Sequence, residues 1–227
     1  MRVLIVAAHP DDEVLGCGGT IAKHAFDGDD VFIVILGEGM MARSKSENDP
    51  HLRRKQRKLW EFSKKAARIL GAHQPVQHHF PDNRLDQVDL LEIVHAIEDS
   101  VERFNPDMVY THHPGDLNVD HTVVARASAT ATRPLPGRRV AGVYSFEVLS
   151  STEWAFGVGG AFQANRFVNI TKFLELKIQA IQAYETEVVA FPHPRSIESI
   201  TALAKLRGSQ SGLGLAEGFS VVRELVG

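Results

Sequence analysis

Cysteine, long apolar segments and an excess of charge of either sign are all scarce in this sequence of 227 residues. The single cysteine, Cys17, excludes an internal disulfide framework and a cysteine-rich structural zinc site. Any bound metal must therefore be held by histidine and carboxylate side chains. The 25 lysines and arginines stand against 28 aspartates and glutamates, so the chain has no field that would favour nucleic acid as a partner.

No apolar run reaches the roughly 18 to 20 residues that a membrane span requires. The first apolar run, residues 3–8, is too short for a signal peptide and leads directly into charged residues. We therefore expect a cytoplasmic protein without a membrane span. The phenylalanines and Trp154 of the C-terminal third could form the interface of a homo-oligomer.

The length suits one α/β domain, which would bury roughly 70% of the surface that the unfolded chain exposes. The Pro136-Gly137 turn could mark a domain boundary, but the part of the chain beyond it is too small to fold alone. We therefore expect a single domain over residues 1–227.

Strand and helix patterns alternate along the chain. Residues 2–8 and 31–36 are continuous aliphatic runs, typical of strands buried on both faces of a parallel sheet, and residues 13–26 between them have helical apolar spacing. We expect the first run to be the central strand. Further helices are predicted at residues 53–70, 90–104, about 120–132 and 171–184, and further strands at 76–80, 107–111, 140–148 and 167–170.

This order of elements predicts an α/β fold, a Rossmann-like three-layer α/β/α arrangement with a mostly parallel central sheet. In such sheets, ligands bind beyond the carboxyl ends of the strands. We therefore expect the loops after Ala8, Leu36 and Thr111 to meet in one crevice.

The segment HPDDE, residues 9–13, places one imidazole and three carboxylates directly after the first strand. Adjacent aspartates repel each other and add nothing to packing, so a bound cation is the simplest compensating partner. An aspartate also caps the start of a helix well, and a helix cap with His9 in a loop explains this segment equally well when it is taken alone.

A second polar segment, DLNVDH at residues 116–121, follows the predicted strand at 107–111. His121 can therefore face the same crevice as His9, although a histidine near a helix start can also be structural. Two histidines and one aspartate form a three-ligand set that leaves a position on zinc for water, as in catalytic zinc sites. The remaining aspartate can exchange protons in the reaction. The residues alone do not distinguish Asp11 from Asp12 in this role.

The order of these motifs, AHPDDE at residues 8–13 followed by a later Asp-His pair, resembles the LmbE-like, or PIG-L, family of zinc N-deacetylases. The resemblance extends over most of the chain. It implies that one Zn²⁺ ion is bound by His9, Asp12 and His121, and that Asp11 is the general base. It also implies a substrate with an N-acetyl group, usually on an N-acetylglucosamine unit of a small conjugate, a glycan or a lipid-linked sugar.

One position departs from the pattern of the family. Several members have a second histidine three residues before the final ligand, where it binds the oxyanion or protonates the amine, and this chain has Asn118 there. An asparagine can donate a hydrogen bond to an oxyanion but cannot donate a proton near neutral pH. In sugar deacetylases of the family a histidine near the C-terminal part can take this role. His193, between two prolines, is the candidate here, although a turn before a helix explains it too.

Other basic side chains are candidates for the wall of the crevice. Arg84, in a loop after the strand at 76–80, could bind a sugar hydroxyl or an anionic substituent, or could form a surface ion pair with Asp82 or Asp86. Two histidines at a strand end could line the crevice but are not assigned as ligands: His112 and His113. Three arginines of the helix at 53–70 are better explained by a solvated helical face than by substrate contact: Arg53, Arg54 and Arg57.

Gly16, Gly18 and Gly19 follow a strand and open a helix, as the glycines of a dinucleotide-binding loop do. Their spacing is wrong for that motif, because residues 9–13 occupy the tight turn after the strand. We interpret these glycines as allowing the first helix to approach the sheet closely, and Cys17 as a buried thiol.

The sequence therefore predicts a zinc-dependent hydrolase that removes an N-acetyl group from an N-acetylglucosamine-type sugar or its conjugate, with Asp11 activating the attacking water and either Asp11 or His193 protonating the amine. One alternative is an amidase that acts on a larger N-acyl group or on a thiol conjugate. Another, of a different class, is a metal- or nucleotide-binding protein without catalysis.

Overall fold

A computed structural model describes residues 1–39, 50–137 and 140–226 of the chain. Within these ranges, strands and helices alternate. The strands are β1 (Arg2–Ala7), β2 (Asp30–Gly37), β3 (Val76–Phe80), β4 (Met108–His112), β5 (Gly142–Phe146), β6 (Arg166–Asn169) and β7 (Ala216–Glu224). The helices are α1 (Asp12–Phe26), α2 (Pro50–Leu70), α3 (Leu90–Phe104), α4 (Val119–Ala131), α5 (Leu174–Ala183) and α6 (Ile197–Ser211).

All of these strands belong to one sheet, in the order β3-β2-β1-β4-β5-β7-β6. Strands β1 to β5 are mutually parallel, whereas β7 lies antiparallel between β5 and β6. The strands that follow Pro136-Gly137 therefore extend the same sheet as those before it. The chain builds outward from β1 to β2 and β3, then returns to β4 on the other side of β1. This reversal between β1 and β4 is the place where such sheets bind ligands.

Helices cover the sheet on both faces. Val3, Ile5 and Ala7 of β1 face a core that is shared with α1, α2, α5 and α6. Leu4 and Val6, on the opposite face of the strand, belong to a second core that includes residues of α3 and α4. The continuous aliphatic run of β1 is therefore explained by burial on both faces, and the three-layer arrangement with a mostly parallel sheet is confirmed.

Most of the predicted elements are confirmed with shifts of one to three residues at their ends. The expectation that the first strand is central was wrong, because three strands lie beyond β4 and the middle position of the seven described strands belongs to β4. The sequence analysis did not predict α6 or β7. The first half of β7 is buried although it includes Glu217, so it lacks the clean apolar alternation of a half-exposed strand.

A buried ion pair supports a break inside α1. The backbone of Cys17 leaves the helical conformation, with φ −146°, and divides the helix into two parts. Lys177 Nζ donates to the carbonyl of Leu15, at the end of the first part. The Glu217 carboxylate accepts the N–H groups of Gly19 and Thr20, at the start of the second part, and pairs with Lys177 at 2.6 Å. The polar groups exposed by the break are thus satisfied.

The glycines of α1 lie where the helix comes closest to the sheet. A Cβ atom at Gly16 would overlap the ring of Phe146 on β5, and one at Gly19 would lie 2.8 Å from Ile170. This confirms the interpretation of these glycines as packing residues, and Cys17 is buried as expected. Among the described residues, no helix is long and apolar enough to cross a membrane.

We expect Gly16→Ala to lower the free energy of unfolding by about 1–3 kcal/mol, because the new methyl group forces the Phe146 ring or α1 to move. Gly18→Ala is the comparison variant, since its Cβ would lie 3.1 Å from a methylene group of Lys177 and 3.1 Å from a Val14 methyl group, which is close but not overlapping. Urea unfolding of the two proteins measures the difference, and equal stability would contradict the close approach at Gly16.

Candidate metal and catalytic site

A cavity of about 340 Å³ lies at the carboxyl edge of the sheet, beside the reversal between β1 and β4. Its lining comes from the loops after β1, β2, β3, β4 and β5, from Leu59 of α2 and from the connection between α5 and α6. The three loops that the sequence predicted to meet in one crevice therefore do so here. The polar side chains that line it include four that the sequence analysis selected, namely His9, Asp11, Asn118 and His121. A larger cavity of about 620 Å³, between α4 and β5, borders His112 and contains none of these four. The chemically active side chains therefore meet in the smaller cavity.

His9, Asp12 and His121 form a cluster at the floor of this cavity. Asp12 Oδ2 lies 3.3 Å from His9 Nδ1 and 3.2 Å from His121 Nε2. One potential ligand atom from each residue lies within 4.8 Å of the other two. Two imidazoles and one carboxylate at this spacing are suited to a divalent cation such as zinc.

The hydrogen bonding of His121 also fits a cation. Both ring nitrogens are buried, and neither makes a well-aligned hydrogen bond within the described residues, although each has a carboxylate nearby. Buried polar atoms of this kind normally have a partner. A metal ion at Nε2 would supply one, so the residues present fit a bound metal.

The pKa values show which charge the cluster favours. Burial acts to raise the pKa of Asp12, but the adjacent His121 holds it well below its usual range. Burial acts to lower the pKa of His121, but the carboxylates of Asp12 and Asp116 raise it to about 9. The cluster therefore stabilises positive charge beside Asp12, which either protons or a metal ion can provide.

Asp116 orients His121 from the side away from Asp12. Its Oδ1 lies 3.1 Å from His121 Nδ1, and it accepts hydrogen bonds from the hydroxyl groups of Ser151 and Thr152. Burial opposes ionisation of Asp116, but the adjacent His121 ring lowers its pKa to about 2. A carboxylate on the second ring nitrogen fixes the orientation of a histidine ligand.

Asp120 and Asp82 contact the other ring nitrogen of His9. His9 Nε2 lies 2.9 Å from Asp120 Oδ2 and 3.1 Å from Asp82 Oδ1, which makes a second possible metal-binding group. Both oxygens of Asp120, however, already accept backbone N–H groups, from Asn83 at 2.6 Å and Leu85 at 2.9 Å. Asp120 is therefore suited to orient His9 and hold the 82–85 loop rather than to bind an ion itself.

Asp11 lies on the cavity wall with an unusual backbone. Its φ of 106° is in the left-handed region, which residues other than glycine seldom adopt. Its Oδ2 accepts a hydrogen bond of 2.7 Å from Arg195 Nη1. Burial raises the pKa of Asp11 to about 7, while Arg195 acts to lower it and Asp12 to raise it. A carboxylate with a pKa near neutrality can both accept and return a proton.

Glu13 supports Asp11 from inside the protein. One carboxyl oxygen accepts the backbone N–H of Asp11 at 3.0 Å, and the other accepts the Tyr184 hydroxyl. Burial raises the pKa of Glu13 to about 8. The three acidic residues of the motif thus have different partners: Arg195 for Asp11, the histidines for Asp12, and Tyr184 for Glu13.

The other three residues proposed for the site from the sequence have different surroundings in the structure. Asn118 lines the cavity with part of its side chain committed, because Oδ1 caps α4 by accepting the Asp120 N–H and Nδ2 donates one hydrogen to Asn83. His193 is half-buried and does not line the cavity; its ring lies edge-on to Trp154 at 6.0 Å, and its Nδ1 accepts the Arg195 N–H. Arg84 is exposed and does not line the cavity.

Three other predictions concern residues away from the cavity wall. His112 is fully buried and stacks on His121 at 3.9 Å, while its Nε2 accepts the Ala8 N–H. His113 contacts the carbonyl of Gly160 rather than the metal-binding cluster. The three arginines of α2 are exposed, as expected for a solvated face: Arg53, Arg54 and Arg57.

The sequence analysis missed the residues that come from distant parts of the chain. Arg195 and Glu187 contact each other and the cavity, although 184 residues separate Arg195 from Asp11. Arg195 lies two residues after His193, in the same proline-containing segment. This proximity was the signal in the sequence that could have indicated Arg195 as a site residue. Nothing in the local sequence marks Tyr184 or Ser151.

We expect Tyr184→Phe to lower the free energy of unfolding by about 1–3 kcal/mol, because it removes a hydrogen bond from the buried Glu13 carboxyl. Tyr144→Phe is the matched control. Its hydroxyl also donates to a glutamate, Glu224, but that side chain is 46% exposed, so water can replace the lost bond. Urea unfolding at one fixed pH compares the two, and a smaller loss for Tyr184→Phe than for Tyr144→Phe would contradict this account.

Similarity to known proteins was assessed for sequence and for fold. An uncharacterized deacetylase of Escherichia coli is 33% identical over 139 residues, which cover 59% of this chain and 69% of that protein. A diacetylchitobiose deacetylase of Thermococcus kodakarensis is 27% identical over 233 residues, which cover 97% of this chain and 83% of that protein. The crystal structure of a 4-carboxy-2-hydroxymuconate hydratase from Pseudomonas putida matches with a TM-score of 0.75 and 25% identity, over 100% of this chain and 98% of that chain.

The family model described as PIG-L, GlcNAc-PI de-N-acetylase, matches residues 4–132. The matched region includes the HPDDE segment and His121, the two parts of the candidate metal-binding cluster. Because the match covers more than half of the chain, and the resemblance seen in the motifs is thereby confirmed, the protein belongs to the PIG-L, or LmbE-like, deacetylase family.

Proposed function

We propose that the protein is a metal-dependent N-deacetylase, a hydrolase that removes the N-acetyl group from an N-acetylglucosamine-type sugar or its conjugate. The observation that carries this proposal is the cluster of His9, Asp12 and His121 beside the Asp11 carboxylate in one cavity. The named activities of the deacetylase relatives support the reaction class.

We further propose that one Zn²⁺ ion is bound per chain by His9, Asp12 and His121. When bound, zinc supplies Lewis-acid activation of water and of the substrate carbonyl. Asp116 and Asp120 would keep the two imidazoles in the orientation needed for binding.

In this mechanism, Asp11 accepts the proton of the attacking water and later delivers it to the departing amine. The second transfer is also assigned to Asp11, because His193 does not line the cavity and its Nδ1 already accepts the Arg195 N–H. The second amide hydrogen of Asn118 is the candidate donor to the sugar or to the oxyanion. For Arg84, the proposed role is contact with a substituent of the substrate that extends outside the cavity.

The cavity is within the size range of small-molecule sites, and its walls suit a sugar. Trp154 and Leu117 offer apolar surface, while Asn83 and Asn118 offer amide groups. The products would be acetate and a free amino sugar. The diacetylchitobiose deacetylase makes a short chitin oligosaccharide one of the substrates to test.

A second candidate function is hydration of a carbon–carbon double bond, which the full-length similarity to the hydratase favours. Asn118 is compatible with it, because hydration has no amine leaving group that must be protonated. The predicted alternative of an amidase for a larger N-acyl group uses the same machinery as the deacetylase and differs only in the acyl chain.

Three proposals concern the setting of the protein. The shared sheet supports a single domain over residues 1–227. A cytoplasmic location is the second proposal. A homo-oligomer is supported by large apolar side chains at the surface, of which Phe156 is 87% exposed and Phe191 66%.

We expect the purified protein to contain about one zinc ion per chain and to release acetate and free amine in equal amounts from an N-acetylglucosamine derivative. The panel contains free, phosphorylated, nucleotide-linked and lipid-linked N-acetylglucosamine, diacetylchitobiose, N-butyryl analogues and an unsaturated dicarboxylate. Chelation should abolish release and zinc should restore it. A metal-loaded protein that hydrates the dicarboxylate and releases no acid from any amide would overturn the deacetylase.

We expect Asp11→Asn to bind zinc as the wild type does but to lose turnover by at least about 100-fold, because the amide cannot accept the proton. His121→Ala should lose both zinc and turnover. Asp86→Asn, at an exposed aspartate outside the cavity, is the control that should change neither. Metal analysis and acetate release are measured on all three proteins. Normal turnover by Asp11→Asn would show that another group is the base.

A further inference from the structure

We propose that Arg195 is a positioning residue for Asp11, and that Glu187 and Ser150 hold the guanidinium group in place for this task. The proposal deepens the deacetylase proposed above and rests on it, because it takes Asp11 as the base. It assigns a role to the segment between α5 and α6, which lies outside the family motifs at residues 8–13 and 116–121.

The guanidinium group is anchored from three directions. Arg195 Nη1 donates to Asp11 Oδ2 at 2.7 Å and to Glu187 Oε2 at 3.1 Å, and Nε donates to Ser150 Oγ at 2.7 Å. The three acceptors come from the loop after β1, the connection after α5 and the loop after β5. A planar guanidinium held at two of its nitrogens has little rotational freedom, so it can fix the carboxylate that it binds.

The Asp11 side chain needs such a partner because it does not cap its own helix. Asp11 occupies the N-cap position of α1, where an aspartate normally accepts an N–H of the first turn. Here its side chain makes no such hydrogen bond, and its backbone has φ 106°. Arg195 provides the hydrogen bond that the helix does not, and the carboxylate stays at the cavity wall.

Glu187 shares the guanidinium group with Asp11. Both carboxylates accept from Arg195 Nη1, at 2.7 Å for Asp11 Oδ2 and 3.1 Å for Glu187 Oε2, so Glu187 fixes the position of the nitrogen that binds Asp11. The pairing with Glu187 is therefore part of the positioning arrangement.

The same contacts argue against substrate binding as the main role of Arg195. Its Nη1 and Nε atoms are both committed to protein acceptors, and the side chain is only 18% exposed. Loss of a residue that binds substrate raises KM, whereas loss of a residue that positions the base lowers kcat with little change in KM. The two roles are therefore separable by steady-state kinetics.

The variants are Arg195→Ala, Arg195→Lys and Ser150→Ala, each compared with the wild-type protein on the best substrate of the panel. We expect Arg195→Ala to lower kcat about 10- to 100-fold, the loss that a misplaced catalytic group produces. KM should stay within about threefold and zinc content should be unchanged. Arg195→Lys, which keeps the charge without the fork, should remain impaired. Methylguanidine added to Arg195→Ala should restore part of kcat. Ser150→Ala should cause a smaller loss of the same kind.

Arg207→Ala is the matched control. Arg207 makes a two-pronged pair with Glu147, at 2.7 Å and 2.6 Å, and its side chain is 13% exposed, so its removal costs a comparable ion pair away from the cavity. We expect it to lower stability without lowering kcat. If Arg207→Ala lost as much kcat as Arg195→Ala, a loss of stability would explain both effects, and the proposal would be overturned.

The remaining outcomes also decide the matter. Unchanged kcat in Arg195→Ala, or an effect on KM alone, overturns the positioning role while leaving the deacetylase intact. A wild-type protein that releases no acetate overturns the deacetylase instead. In that event crystal structures of the wild type and Arg195→Ala still test the contact: a carboxylate that turns toward the N–H groups of α1 in the variant supports the positioning role, and an unmoved one overturns it.

Discussion

The site depends on three consecutive carboxylates, Asp11, Asp12 and Glu13, that are all almost completely buried at the end of β1. Burying a carboxylate is costly unless it is paired or protonated. Three adjacent carboxylates also repel each other, so each needs a partner of its own. The fold separates them by direction. Asp12 points to the two histidines, Glu13 points inward to Tyr184, and Asp11 points along the cavity wall to Arg195. Each carboxylate thereby acquires a different pKa and a different chemical capability.

The partners for two of these carboxylates come from the C-terminal third, which explains why the family motifs alone do not complete the site. Tyr184 and Arg195 lie at the two ends of the connection between α5 and α6, and both act on the short turn that carries Asp11. The break in α1 is likewise filled by Lys177 of α5 and Glu217 of β7. The start of α1 is thus fixed by contacts to later elements, and β7, inserted between β5 and β6, is the strand that carries one of them.

Sequence patterns were sufficient to predict a site residue where its side chain acts next to its own strand end or helix start. The aliphatic runs located β1 and β2, and the strand pattern at residues 107–111 located β4. The rule that parallel strands end at one edge then correctly predicted that His9 and His121 lie together. Such patterns were insufficient for Arg195, because a contact across 184 residues has no local period or spacing. Arg84 shows the opposite failure: it follows the correct strand, yet its side chain is exposed, since a loop position does not determine which way the side chain points.

In the proposed mechanism, Asn118 leaves both proton transfers to Asp11. Asn118 is bound to the start of α4 and to Asn83, so it helps to place His121, but it has no proton to give. A site without a second acid must use one carboxylate for both proton transfers, and that carboxylate has to face the attacking water first and the leaving amine afterwards. Such a group tolerates less misplacement than a base that acts once. In the proposed mechanism, the three hydrogen bonds of Arg195 therefore compensate for Asn118: no histidine stands at that position, and the carboxylate that makes both transfers is bound to an anchored guanidinium group.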